Sequence, residues 1–550
     1  MFRWPPLIRT QQPRVSTGVI FAINLLWFSN LFQVFVTANA LVFTVKHFTD
    51  DTRLIALTSS IGAGFSFLVG PICNYLSDRI WTRIGRRRPF IILGWSAVGA
   101  AMALIPMMPS YGALITLVIA YTLLGDMATP VEPLCMEVVP PAQRARSMSV
   151  RLILIQACSL FYFQVLFPRF DTQLHLPRSI PLLGGISFSG EQLIYAIASF
   201  LFFSMVAFLL FFVRETKVET APNIALKDLK FSPIKSTKAF LFDTFGDSRW
   251  LWIYLLYCCA NAYLYSWSGS PLYMLLMTDQ FGYSKADVAL MGLPTQLFGV
   301  LVILPVMGWY GDRYPRLSYS LLAGIAIVAF GILAWLAKTQ LHLAAGALPD
   351  GGWILLLGGL AIAGYSAIYL MCAQTILRVM GQAGARVWIY LVSLVLQVAL
   401  GCGCWVVIRY FRVAQGIVPP IFLWFILEQA RLTLKSCTDV ITMPMFFDFV
   451  PRDKMGTLSS GFGFTNGLLV FLLTNFVGSW IQWFSGSGPK DYSSGYLLQL
   501  AVGALAFAGT IAFIRTFKRG RIAEYGRLGL AAEELPPPNL AEDANARTMA

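Results

Sequence analysis

Two short turns each occur twice in this chain, and a chain that repeats its turns is expected to fold as two related units. GPICNYLSDRIWTRIGRRRP runs from Gly70 to Pro89, and GWYGDRYPR from Gly308 to Arg316. Each lies between long apolar stretches, and each is followed by a second echo: EVVPPAQRARS from Glu137 and DFVPRDKMGTLS from Asp448. A duplicated membrane domain with matching turns points to a transporter built from two bundles.

The solvent of this chain is lipid. Of 550 residues, 57% are hydrophobic and 12% charged, against about 25% charged in a soluble domain. The mean hydropathy is +0.67, and the chain holds many runs long enough to span, which takes about 20 apolar residues. The net charge of +14 does not mark a nucleic-acid partner. The basic residues sit in short turns between apolar runs, where the positive-inside bias puts them. All nine cysteines fall in apolar segments without metal-ligand spacing, and there are three histidines, so neither a disulfide framework, a metal site nor any other cofactor is expected.

The first-half runs are near 16–45, 54–76, 89–107, 111–135, 147–167 and 190–213. The first follows Arg3, Arg9 and Arg14 and is too long for a signal-peptide core, so both termini are expected in the cytoplasm. The second-half runs are near 250–276, 286–309, 317–337, 353–377, 387–411, 417–447, 458–482 and 494–516. The expected organisation is an all-α membrane protein of about fourteen transmembrane helices. An N-terminal bundle covers 1–213, a cytoplasmic linker 214–249, a C-terminal bundle 250–516 and a disordered tail 517–550. Four runs lie between the echoed turns of the second half where the first half has two. An inserted hairpin is therefore expected at about 350–412; a rival count of twelve treats part of 353–411 as re-entrant.

These turns resemble those of the major facilitator superfamily. Asp78, Arg79, Gly85, Arg86, Arg87 and Arg88 look like its signature loop between helices two and three, and Gly311, Asp312 and Arg313 look like the second copy. The wide spacing in SDRIWTRIGRRRPFI is similar to the sucrose transporters and the glycoside–pentoside–hexuronide cation symporters. The resemblance implies two six-helix bundles in a multi-pass protein of the cell (inner) membrane. It departs from the plant sucrose carriers in helix four: GDMATPVEPLCMEVVPP has Glu132 near the place of their arginine. The residues themselves suggest a gate. Arg86 to Arg88 can engage Glu137, and acids recur at matching places in both halves, Asp78 and Glu137, Asp312 and Asp448. The alternative is that these arginines fix topology alone.

Ionisable residues inside spans are costly and usually functional. Glu428, Arg431, Lys435 and Asp439 follow steps of three and four, which puts them on one helix face. They read as a cation-coupling relay or as a structural ion-pair ladder. Asp126 and Glu132 on helix four are further coupling candidates, Asp126 foremost; Arg151 reads as a charge at the cytoplasmic end, able to pair with Glu132. Asn24, Trp27, Asn30, Gln33 and Thr37 form a polar stripe on helix one. Asn261, Tyr265 and Trp267 precede a Ser-Gly-Ser-Pro break on helix seven, and Gln296 is a weaker member of the same set. Amides with aromatic faces suit a sugar and also suit interhelical packing.

The sequence therefore predicts a secondary transporter, not an enzyme. Its partners would be a small polar solute, a sugar or glycoside, a coupling cation (H+ or Na+) and the bilayer, with no nucleic acid. The alternatives are an exporter of amphipathic compounds on the same scaffold and a non-transporting membrane sensor. No Walker loop, HExxH or GxSxG is present.

Overall fold

The structure, a computed structural model, describes residues 8–10, 14–77, 80–139, 144–175, 187–216, 238, 241–242, 244–246, 248–303, 305–307, 316–340, 351–380, 385–415, 421–447, 455–486 and 488–519. Fourteen helical stretches are present among them, and ten are long and apolar enough to cross a membrane.

In the first half these are α1 (Thr17–Lys46), α2 (Thr52–Ser77), α3 (Arg88–Met107), α4, α5 and α6 (Gly190–Phe212). α4 is broken: Tyr111–Gly125 passes through a 3₁₀ turn, Asp126–Ala128, into Val131–Val138. α5 runs over Arg144–Leu160 and on through a π turn, Phe161–Leu166.

In the second half, α7 is Ser248–Tyr265, interrupted and resumed at Tyr273–Leu275 and Leu276–Gln280. α8 (Lys285–Phe298), α9 (Tyr319–Gln340), α10 (Gly351–Met380), α11 (Ala385–Gln415), α12 (Ile421–Phe447), α13 (Met455–Ser485) and α14 (Ser494–Arg519) follow. Starts are fixed by side chains that take up orphan N–H groups. Ser189 with Gln192 and Ser284 with Asp287 form capping boxes on α6 and α8.

Two short strand pairs are present among the described residues. β1 (Ile8–Arg9) runs parallel to β4 (Val213–Arg214), and β2 (Gln173–His175) antiparallel to β3 (Ser187–Ser189). The end of the molecule holding the Arg86–Arg88 turn and the β1–β4 pair is called the basic end here, and the opposite one the far end.

The halves repeat their packing. α1 packs on α5 and α6, and α7 on α13 and α14; α3 packs on α4 and α6, and α11 on α12 and α14. α9 packs chiefly on α10. The hairpin expected at about 350–412 falls on α10 and α11, and α11 has the packing of a core member of its half. The halves meet where α2 lies along α13 and α5 along α8. Asp78, Arg79, Asp312, Arg313 and Asp448 lie outside the described residues.

Candidate functional site

The arginine turn is built around Glu215, just past the end of α6. Its carboxylate accepts the backbone N–H groups of Arg86 (3.0 Å), Arg87 (3.1 Å) and Arg88 (2.9 Å) at the start of α3. Gly85 makes this approach possible. Its φ is +125°, and a Cβ there would lie 2.6 Å from a Glu215 oxygen. Arg88 returns the contact, donating to the carbonyls of Leu209 (2.8 Å) and Leu210 (3.0 Å) at the end of α6. Arg86 and Arg87 both pair with Glu137, Arg87 at 3.1 Å. These contacts lie within one half and tie α3, α4 and α6 together. Nothing in the sequence singled out Glu215, because a lone acid after a span has no periodic pattern.

A polar cluster sits where α1, α4 and α5 meet. Asn24, fully buried, donates to the Ile20 carbonyl and to the Ser147 hydroxyl, both at 2.8 Å. Arg151 donates to both Glu132 oxygens (3.1 and 3.0 Å) and to the Asn24 side-chain Oδ1 (3.3 Å). Its guanidinium lies 4.4 Å from the centre of the Trp27 ring. The Glu132 side chain keeps 37% of its surface exposed, against 11% for Arg151. The sequence reading placed Arg151 as a charge at the cytoplasmic end, and the fold makes it the hub that joins three helices. Asn30 and Gln33 are half-buried further along α1, away from this hub, and Thr37 donates to the Gln33 carbonyl.

Asp126 stands apart, in the 3₁₀ turn of α4 packed against α2 and α3. One of its carboxylate oxygens is buried with no hydrogen-bond partner among the described residues.

In the second half the four charges of α12 separate into two pairs. Glu428 and Arg431 are buried, and Arg431 donates to both Glu428 oxygens, through Nε at 2.9 Å and through Nη2. Tyr273 donates to Glu428 at 2.6 Å and Tyr496 at 3.3 Å, while the Trp424 indole donates to Tyr496 at 3.1 Å. Trp267 stands edge-on to both tyrosines. Lys435 and Asp439 pair at 2.7 Å nearer the surface. One stripe therefore has two environments: Glu428 and Arg431 lie among Tyr273, Tyr496 and Cys404, whereas Lys435 and Asp439 stay partly exposed. Asn261 donates to its own helix at the Tyr257 carbonyl, Tyr265 is half-buried, and Gln296 accepts from Gln164 at 3.5 Å.

The hydrogen bonds and ion pairs that join the halves gather, among the described residues, toward the far end. Lys46 meets Asp279 (2.6 Å), Lys285 meets Asp171, Thr52 donates to the Gly478 carbonyl (2.9 Å), and Asn475 to Ser60 (2.9 Å). Among the described residues no group of acids, cysteines and histidines is set to hold a metal.

No family model matches the chain, and no curated protein matches it. Solved structures do. A bacterial homologue of the human lysosomal transporter Spinster, inward-facing and unoccupied, aligns with a TM-score of 0.53 at 13% identity over 92% of this chain and 98% of that one. A bacterial homologue of the iron transporter ferroportin, also inward-facing, gives 0.51 at 13% identity over 90% and 98%. A POT peptide transporter in complex with alafosfalin gives 0.50 at 12% identity over 94% and 97%. At such identities the likeness concerns fold: this chain has the major facilitator fold of two helical bundles, in a multi-pass arrangement of membrane-spanning helices.

Proposed function

We propose that the protein is a secondary transporter that moves a sugar or glycoside by cation-coupled alternating access. The observation that carries this reading is the Glu132–Arg151 pair, backed by Trp27 and Asn24. A carboxylate and a guanidinium offer acceptors and donors to sugar hydroxyls, and an indole offers a face to the C–H patches of a ring. Among the described residues the halves are joined toward the far end, so this cluster would be reached from the basic end. The positive-inside bias turns that end to the cytoplasm, which agrees with the inward-facing state of two of the structural neighbours. Asp126, with an unpartnered buried oxygen, is the carboxylate assigned to coupling. Glu428 and Arg431 form the structural pair of the second half.

Uptake of labelled sugars into proteoliposomes tests this, with and without a pH or sodium gradient. Accumulation driven by one of the gradients is expected, and Arg151→Gln should reduce it at least about tenfold, since a charged hydrogen bond to a ligand contributes about 1.5–3 kcal/mol. Accumulation that ignores both gradients rejects coupling, and sugar uptake unaffected by Arg151→Gln rejects the site.

A further inference from the structure

The far-end contacts repeat, as the turns do. The shift along the chain that lays Glu137 on Asp448 also lays Gln164 on Asn475 and Asp171 on Gln482. The shift that lays Asp78 on Asp312 lays Asp51, the neighbour of Thr52, on Lys285. In space these equivalent positions meet the opposite half in the same order. Where α5 faces α8, Gln164 donates to the Ala289 carbonyl at 2.8 Å and to Gln296 at 3.5 Å, and Lys285 pairs with Asp171 nearer the end. Where α13 faces α2, Asn475 donates to Ser60 at 2.9 Å, and nearer the end Thr52 reaches the Gly478 carbonyl at 2.9 Å and Gln482 at 3.5 Å. Each interface thus has an inner amide rung and an outer rung.

The two rows differ in charge. Among the described residues the α2–α13 hydrogen bonds join neutral groups. In the α5–α8 row the Lys285 ammonium stands 4.4 Å from the centre of the Phe43 ring and 4.1 Å from that of Phe170, beside Asp171. A third contact, Lys46 with Asp279, joins the ends of α1 and α7, and the Tyr492 hydroxyl donates to the same Asp279 at 3.3 Å.

We propose that these rows are the gate of the far end, with Lys285 and Lys46 as its charged latches and the amides of Gln164 and Asn475 as the rungs beneath them. This rests on the alternating-access reading above. A gate has to open in every cycle, so its contacts must be specific yet individually weak. Ion pairs at the water boundary and a cation held between two rings meet both conditions. The neutral row opposite keeps register without adding charge to separate. These are positioning residues: they touch no solute and act on which end is open.

Spin labels on cysteines placed at Asp50 and Pro489 report the far end, and labels at Ile84 and Thr516 the basic end; the signal of the nine native cysteines is taken from the parent chain. Lys285→Gln should raise the far-end-open fraction about tenfold and Lys46→Gln about two- to fivefold, lengthening the first distance while shortening the second. Lys285→Arg keeps the charge and should keep the parent distances, and the exchange Lys46→Asp with Asp279→Lys should restore them. Unchanged far-end distances in both neutral variants overturn the proposal, as does an exchanged pair that stays open. The distances are read without solute. A gate that responds in a protein that takes up no sugar therefore retains this proposal and rejects the substrate reading, whereas sugar uptake with an unresponsive far end does the reverse.

Discussion

Arg88 and Glu215 exchange the ends of two helices. The glutamate takes the N–H groups at the start of α3, and the arginine takes the last carbonyls of α6. This accounts for the composition of the turn more directly than topology does: glycine for the close approach, one arginine for α6 and two for Glu137. Replacing Glu215→Gln keeps the shape and removes the charge. A loss of about 1–2 kcal/mol is expected, seen as a lower unfolding temperature of the purified protein in detergent. An unchanged midpoint would reject the cap. The Glu428–Arg431 pair allows a sharper test. Breaking a buried pair strands a charge and costs about 3–5 kcal/mol, while removing both charges costs far less. Glu428→Gln and Arg431→Met alone should each destabilise more than the two together. Equal or additive losses would mean the pair is not the unit of stability there.

At the scale of elements, α7 connects the buried Glu428–Arg431 pair to the far end. Ser268, Gly269, Ser270 and Pro271 interrupt it, as the sequence suggested from this break, and the segment beyond is held at two points. Tyr273 donates to Glu428, and Asp279 meets Lys46 of the other half. Removing one hydroxyl with Tyr273→Phe takes away one charged hydrogen bond, worth about 1.5–3 kcal/mol. Amide exchange over Tyr273–Gln280 should quicken at least about tenfold while α12 is unaffected; protection that stays at the parent level would show that packing alone holds the segment. The added pair of helices is also an element-level matter. Counting between echoed turns showed that two of four runs are extra, and the sequence reading put them at about 350–412; apolarity does not decide among the first three, whose hydropathies are 2.2, 2.0 and 2.3. Packing favours α9 and α10, since α11 lies against α12 and α14 as α3 lies against α4 and α6. Arg409, near the end of α11, pairs with Asp491 at 3.1 Å.

For the whole molecule the question is what drives one end open and the other shut. Asp126 lies inside the first bundle, among α2, α3 and α4, and not on the seam between halves. A carboxylate there would act by changing the shape of α4, whose 3₁₀ turn it occupies, and through α4 the position of Glu132. Asp126→Asn is therefore expected to abolish uphill accumulation while leaving solute exchange intact, measured in the same proteoliposomes. Uphill transport that survives unchanged would remove Asp126 from the coupling path.

The amino-acid order by itself determined that the chain lives in lipid, that it is duplicated, and where its turns and breaks fall. The pieces are local: runs of apolar side chains and short patterns of Gly, Pro and Arg, each legible within a window of about twenty residues, and the duplication follows from comparing such windows along the chain. Tertiary structure decided the partners. Arg151 with Asn24, Glu215 with the start of α3, Tyr273 with Glu428 and Lys46 with Asp279 are each separated by more than a hundred residues. Helical periodicity gives the face on which a side chain lies but not the helix that face will meet. A buried charge takes its role from that neighbour, and only the assembled bundle supplies it.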